Sequence, residues 1–329
     1  MNAGHRARRL AERPLARALA ALAVVVVVGC VFHRDGAFFT WTTHRGTLRE
    51  IAVGGMLACG MTVVVVSGGI DLAVGSVLGL SAVAFALLTM PLGLAAPLAI
   101  AVVLAGGALF GAASGTLVAR LRLQPFIATL AAMVFARGLA KLLSGGKKVT
   151  AYALGAERPH LPRVFELLDT DLLGGTVPVV TLLFAFCVVA THLVLSRMRL
   201  GRHLYAVGGN PEAARLAGVP VARTLVTAYA ISGLFAAAAG ICQAAQETQG
   251  DPETGMGYEL DAIAMVVIGG TSLAGGRGGV VLTLVGALTI GTLKKILSIN
   301  ALGTDLRLMA TGIVVVVAVL FQAAGSRER

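Results

Sequence analysis

Ionisable side chains are scarce in this sequence, so those set within or beside apolar runs are the first candidates for chemistry. Asp71 follows Gly68-Gly69 at the start of an apolar stretch. A carboxylate there either caps a helix by accepting a backbone N–H or lines a polar path, since ionisable groups at membrane depth are costly and are kept for function. Arg137 and Lys141 lie four apart, on one face of a helix, and Lys294 and Lys295 stand near the end of another apolar run. Long cations in such places extend toward lipid headgroups while their stems stay in apolar surroundings. Between two further runs, Pro211-Glu212-Ala213-Ala214-Arg215-Leu216-Ala217 reads as a short helix. Asn210 can cap it, Pro211 suits its first position and Glu212 complements its positive dipole end. Gly218 terminates it and Pro220 prevents continuation. A helix this short buries little alone. It suits docking into a groove on a partner, or lying on headgroups.

Much chemistry is excluded. Ser144-Gly145-Gly146-Lys147-Lys148 lacks the first glycine of a phosphate-binding loop, so any ATP hydrolysis must come from another chain. No serine nucleophile elbow, zinc-protease helix or paired catalytic carboxylates stand out. Cys30, Cys59, Cys187 and Cys242 all lie in apolar runs without a Cys-x-x-Cys partner and read as small buried hydrophobes. The 6 His show no ligand spacing. No catalytic residue, metal or cofactor is expected.

The elements that would hold these residues are set by composition. Apolar residues make up 57% and charged residues 13% of the 329, against roughly 25% charged in a soluble domain. Such a chain faces lipid. Runs of about 20 apolar residues, enough to cross a bilayer, fall at 15–32, 48–66, 70–90, 94–118, 126–143, 177–196, 223–245, 257–274, 279–299 and 304–322. The fold class expected is all-α: a polytopic membrane protein of about ten transmembrane helices. The 257–274 run is the weakest, with Glu259 and Asp261 at its start and Gly269-Gly270 near its end, and suggests a broken helix. The organisation is a basic arm at 1–14, one transmembrane domain at 15–322 and a tail at 323–329. Segment 144–176 reads as an irregular loop with a short surface helix. Val27-Val28-Gly29-Cys30 imitates a lipoprotein signal, but an uncleaved first helix explains the same residues.

A faint internal repeat aligns Ser67–Gly75 with Ile268–Gly276, and Gly115-Thr116-Leu117 with Gly291-Thr292-Leu293. Glycine-interrupted segments in corresponding places point to a transport pathway. Charge orients the chain. With the N-terminus in the cytoplasm, the inner segments hold 15 of the 27 basic residues and only 4 of the 16 acidic ones, as the positive-inside rule requires. Both termini are then cytoplasmic, residues 144–176 and 246–258 lie outside, and the Arg-rich 197–223 loop lies inside. The net charge of +11 follows from these loops. With no aromatic-plus-basic stretch, nucleic acid is not expected as a partner.

Glu212-Ala213-Ala214-x-x-x-Gly218 resembles the cytoplasmic loop that marks importer permeases of the ATP-binding cassette class. Gly201-Arg202-His203-Leu204-Tyr205-Ala206-Val207-Gly208-Gly209-Asn210 resembles its ribose and simple-sugar branch. So do Ser67–Ser76, Gln124–Leu130, and Glu259–Ala264 continued through Gly269-Gly270-Thr271. The resemblance covers about 46–322. Ala73 stands where Ser is common, and the N-terminal arm is unusually rich in Arg. The resemblance implies a bacterial inner-membrane permease that forms the pathway for a monosaccharide of the ribose, galactose or xylose type. It implies separate ATPase subunits, a periplasmic or lipid-tethered sugar-binding protein, and a second permease copy or paralogue. The helix at 211–217, with Arg202, Asn210, Pro211, Glu212, Ala213, Ala214, Arg215 and Gly218, would couple to the ATPase. Gly68, Gly69, Asp71, Gln124, Thr129, Gly269, Gly270 and Thr271 are the candidate pathway residues, at broken helix ends facing the dimer interface. The alternatives are a self-powered secondary transporter, against which the charge-poor span centres argue, or the same permease class carrying a non-sugar small polar solute.

Overall fold

In the computed structural model, residues 14–151 and 161–303 are described, together with 306, 309, 312 and 313. The described chain is helical: α1 (Pro14–Val31), a single 3-10 turn (Ala37–Phe39), α2 (Trp41–Val66), α3 (Val74–Thr89), α4 (Ala96–Ala119), α5 (Pro125–Ser144) and α6 (Arg163–Asp169). A small hairpin of β1 (Asp171–Leu172) and β2 (Val177–Pro178) follows, antiparallel, with Asp171 opposite Pro178 and Leu172 opposite Val177. The rest is α7 (Val179–Arg197), α8 (Arg199–Gly209), α9 (Pro211–Leu216), α10 (Val221–Glu247), α11 (Tyr258–Gly269) and α12 (Val280–Ile299).

Seven of these helices, α1, α2, α4, α5, α7, α10 and α12, are long and apolar enough to cross a membrane. The expectation of about ten transmembrane helices is corrected to seven among the described residues. The run at 70–90 fails because its first residues are not helical. Gly68 takes φ +85 after α2, and α3 starts only at Val74. Its 16 residues rise about 24 Å, short of a hydrocarbon core of about 30 Å. The run at 257–274 yields a helix of only 12 residues, closed by Gly270 at φ 101. The run at 304–322, residues 1–13 and the tail at 323–329 fall outside the described residues, apart from the four single positions named above.

Helix α2 starts at Trp41, earlier than its apolar run, because the Thr40 hydroxyl caps it and accepts the Thr43 N–H at 3.3 Å. It then passes through the centre of the bundle, with every residue from Ile51 to Val66 buried. Small residues set a close crossing. Gly107, Gly111 and Gly115, spaced four apart on α4, lie against Gly233, Tyr229 and Val226 of α10. Bare backbones approach closely there, as is usual where lipid supplies no hydrophobic drive for helix pairing.

The two ends of the bundle are distinct. At one, Lys295 pairs with Glu50 at 3.0 Å, and Arg49 with Asp169 and Asp171 at 2.8 and 2.7 Å. Partial burial raises the Asp169 carboxyl above its ordinary range, and Arg49 pulls against that shift. Val149 bridges to Gly250 at the same end. At the other, the Gly276 N–H donates to Val66 O at 2.9 Å and the Tyr205 hydroxyl to Gly278 O at 2.8 Å.

Candidate functional site

The first break, between α2 and α3, is closed by side chains. Gly68 and Gly69 N–H groups donate to Val65 O and Val64 O, at 2.9 and 3.0 Å, which satisfies the end of α2. The chain then reverses, and Asp71 fixes the reversal. Its Oδ1 accepts the Ala73 N–H at 3.0 Å, and its Oδ2 accepts the Ser232 hydroxyl of α10 at 2.8 Å. Asp71 is 3% exposed. It is therefore a local backbone cap and a tie between helices at once. Ile70 O accepts two hydroxyls, Thr129 from α5 and Tyr229 from α10, both at 3.3 Å. Gly69 faces inward as well: a Cβ there would lie 2.5 Å from the Tyr229 hydroxyl.

The second break, between α11 and α12, is closed mainly by backbone. Gly270 and Thr271 N–H groups donate to Val267 O and Val266 O. Gly275, Gly276 and Gly278 all take positive φ. The Ser272 N–H donates to Arg277 O at 3.0 Å, and buried Thr271 accepts the Gly279 N–H at 3.2 Å. Gly269 packs on Leu282 of α12. Both glycine pairs thus have a near neighbour within their own chain.

Gly208 joins the two breaks. A Cβ at this position in α8 would strike Val66 O at the end of α2 and lie 2.6 Å from Gly276 N. A Cβ at Gly275 would meet Gly208 O at 2.7 Å and Gly68 Cα at 2.9 Å. The aligned segments of the repeat therefore meet on one residue, three positions before α9. The sequence reading passed over Gly208. A glycine within an otherwise helical, unbroken string was the available sign of a close approach.

Helix α9 has the ends its sequence calls for. Asn210 Oδ1 accepts the Ala213 N–H at 3.0 Å, with Pro211 and Glu212 in the first turn. Gly218 sits at φ +81. Its N–H donates to Arg215 O and that of Val219 to Ala214 O, both at 3.0 Å, the paired bonds of a glycine-closed helix end. Ala214 is buried, whereas Leu216 is 90% exposed. Glu212 and Arg215 pair at 3.4 Å on the exposed side, and Arg202 is exposed on α8. An apolar tip on a capped, outward helix is a shape suited to a groove.

Gln124 is exposed at the start of α5, and Thr129, one turn on, reaches the first break. Two expectations about individual residues change. Arg137 and Lys141 do not extend to headgroups. Arg137 donates to Pro252 O and to Thr254 O at 2.8 Å, and Lys141 pairs with Glu253 at 3.1 Å. Lys294 pairs with Asp261, and Lys295 with Glu50. Carboxylates and carbonyls within reach offer these cations partners that do not require the stems to stretch. Among the described residues, no group of three His, Cys, Asp or Glu is placed to hold a metal ion.

Glycine-interrupted helices are a feature of transport subunits, and comparison with known proteins assigns the chain to that class. The family described as "Branched-chain amino acid transport system / permease component" matches residues 45–319. The chain belongs to this family of transport-system permease components. It is 38% identical over 301 residues to the ribose import permease protein of Escherichia coli (strain K12), covering 91% of each chain. It is 39% identical to the ribose import permease protein of Bacillus subtilis (strain 168), covering 83% of this chain and 82% of that one. With the L-arabinose transport system permease protein of Escherichia coli (strain K12) the identity is 35%, over 92% and 88%. No solved structure matches the chain.

Proposed function

We propose that this chain is the membrane-spanning subunit of an ATP-binding cassette importer and forms the pathway for a monosaccharide of the ribose, galactose or xylose type. Separate ATPase subunits power it, a sugar-binding protein delivers the cargo, and a second permease subunit completes the pathway. Near full-length similarity to permeases named for ribose and arabinose carries this reading. The family description names a different cargo, branched-chain amino acids, so leucine serves as the contrasting substrate in any test.

In this reading the chain lies in a bacterial inner membrane with α8 and α9 on the cytoplasmic side, as the loop charges favour. Helix α9 seats in the ATPase, and Gly208 carries its displacement to both broken helices. Asp71, Gly68, Gly69, Thr129, Gly269, Gly270 and Thr271 form the part of the pathway wall that moves. Labelling of Ala217→Cys from the cytoplasmic side and of Gly174→Cys from outside is expected, and the reverse pattern removes the coupling role.

The deciding experiment reconstitutes the complex in liposomes and follows ATP-dependent uptake of ribose, xylose, galactose and leucine. Uptake of one or more sugars and not leucine is expected. Glu212→Lys and Gly218→Trp should abolish uptake while the membrane subunits still assemble. Uptake driven by a proton gradient without ATPase subunits would establish a secondary transporter instead.

A further inference from the structure

After α10 the chain re-enters the bundle without forming a helix. Thr248 takes φ 51, and Gly250 exchanges both backbone hydrogen bonds with Val149, at 2.8 and 2.9 Å. Segment 250–257 then runs antiparallel to α3. Gly250 lies against Ala82 and Ala86, Thr254 O against Gly79, and Gly255 against Gly75. From 75 to 86 a helix rises about 16 Å, roughly half of a hydrocarbon core of about 30 Å. Non-helical backbone at that depth persists only where protein buries it or where it borders a water-filled cavity. Two sides hold it here. A Cβ at Gly79 would lie 2.6 Å from Thr254 O, so a smooth face of α3 seats the backbone. From α5 and the residues after it, a ladder of cations takes successive residues, with Arg137 Nη1 itself 2.8 Å from where a Cβ at Gly79 would lie. Lys148 pairs with Asp251 at 3.1 Å, Arg137 binds Pro252 O, Lys141 pairs with Glu253 at 3.1 Å, and Arg137 also binds Thr254 O. From α10, Glu247 accepts the Thr254 hydroxyl at 3.1 Å.

The ladder stands on a peripheral helix. Phe126, Ile127, Val134, Phe135 and Leu142 of α5 are all exposed. An arginine within such a span is costly to place and marks function by default. We infer that Asp251–Gly257 is a gate across the pathway at this end of the bundle, and that Arg137 is the positioning residue that holds it shut. The inference rests on the permease reading above, in which this end faces the binding protein. Lys141 and Lys148 pair with Glu253 and Asp251 partly in solvent, where ion pairs exchange readily for water or for a partner's groups. The α3 face meets the segment with backbone and with the apolar side chains of Leu78 and Ala86, which make no directional bond. The half-buried Arg137, bonded to two carbonyls, makes the principal hold.

The test uses the full complex in liposomes preloaded with radiolabelled ribose, xylose or galactose, whichever the wild type transports. Without binding protein and ATP, the wild type should stay sealed. Arg137→Ala should release sugar about tenfold faster or more, the change expected when a charge-assisted hydrogen bond is lost. Arg137→Lys should fall between the two. A purely structural role would lower transport without opening a leak. A sealed and fully coupled Arg137→Ala complex overturns the inference. Should that variant fail to assemble, a second one decides. Lys141→Cys with Glu253→Cys, in a Cys30→Ser background, is bridged by a cleavable bifunctional thiol reagent. Bridging should stop uptake and reduction restore it. A bridged complex that transports at the unbridged rate overturns the gate. An inactive wild type sinks the permease reading and the gate with it, whereas an active wild type with unresponsive variants sinks the gate alone.

Discussion

The two glycine breaks align in sequence and end their helices alike, yet they are held by different means. After α2, the left-handed residue is Gly68, the first glycine of its pair; after α11 it is Gly270, the second. Each is followed by the same pair of backbone bonds to the helix it closes. Beyond that point they diverge. The first turn is fixed by Asp71, whose carboxylate reaches across to Ser232, and by two hydroxyls on Ile70 O. At the position aligned with Asp71 stands Ser272, which is engaged through its backbone. The second loop is shaped by three further glycines at positive φ. The first break is anchored to α5 and α10 through side chains, while the second, a glycine turn between α11 and α12, is tied to α2 by the Gly276 N–H on Val66 O and to α8 by the Tyr205 hydroxyl on Gly278 O. If α9 moves Gly208 and α8, the second break is the one linked to follow through Tyr205.

The largest effect is expected where the two regions touch. Gly208→Ala places a Cβ against Val66 O and 2.6 Å from Gly276 N, with backbone on both sides. Neither can move without shifting a helix end. A loss beyond about 4 kcal/mol, the exceptional range for one substitution, should appear as failure to purify as a monodisperse complex. Gly209→Ala is the control, since nothing lies within 4 Å of its Cβ. Equal behaviour of the two variants would show that α8 does not join the breaks.

Next comes the anchor itself. Asp71→Ala strands the Ala73 N–H and the Ser232 hydroxyl and should cost about 2–3 kcal/mol, read as a lowered thermal midpoint in detergent. Asp71→Asn keeps an acceptor and should cost less. Ser272→Ala, at the aligned position, should stay within about 0.5 kcal/mol. If Asp71→Ala and Ser272→Ala shift the midpoint equally, the contrast between the breaks is gone.

The parts of this design visible in the sequence are those fixed by neighbouring residues. Asn210, Pro211 and Gly218 specify both ends of α9 locally, and the glycine pairs announce the breaks. Helix lengths were less accessible, because an apolar run such as 70–90 has the same hydropathy whether or not its first four residues are helical. The ladder was not legible at all. Arg137 meets Pro252 and Thr254 across 115 and 117 positions of chain, and nothing near Arg137 distinguishes a cation bound to carbonyls from one reaching for headgroups. Asp71 was half legible: its bond to Ala73 is local, and its bond to Ser232 is not.

A smaller and matched pair of effects tests what the breaks share. Gly68→Ala and Gly270→Ala each force a side chain into the left-handed region, at about 1–2 kcal/mol. Neither meets a crowded neighbour, the nearest atoms being 3.7 Å from a Cβ at 68 and 3.4 Å at 270. Strain alone then predicts similar drops in thermal midpoint. A much larger drop at one site would mean that the break there is held by packing as well as by its turn.

The smallest effect falls on Thr271, the residue of the second loop that most resembles a side-chain anchor. It is fully buried, its hydroxyl accepts the Gly279 N–H at 3.2 Å, and a Cβ at Gly278 would lie 2.5 Å from its methyl group. Thr271→Val keeps the shape against which Gly278 packs and removes the acceptor. One neutral hydrogen bond is worth about 0.5–1.5 kcal/mol. Gly279 immediately precedes α12, where its N–H has no intrahelical partner, but the residue is only part-buried, so water can replace the lost acceptor and the lower part of that range is expected. Thr271→Ser keeps the acceptor and loses only the methyl contact. If the second break is held by backbone, Thr271→Val shifts the thermal midpoint less than Asp71→Ala does, and coupled uptake survives. A shift as large as that of Asp71→Ala would make Thr271 the counterpart of the carboxylate, and both breaks would then be anchored by side chains.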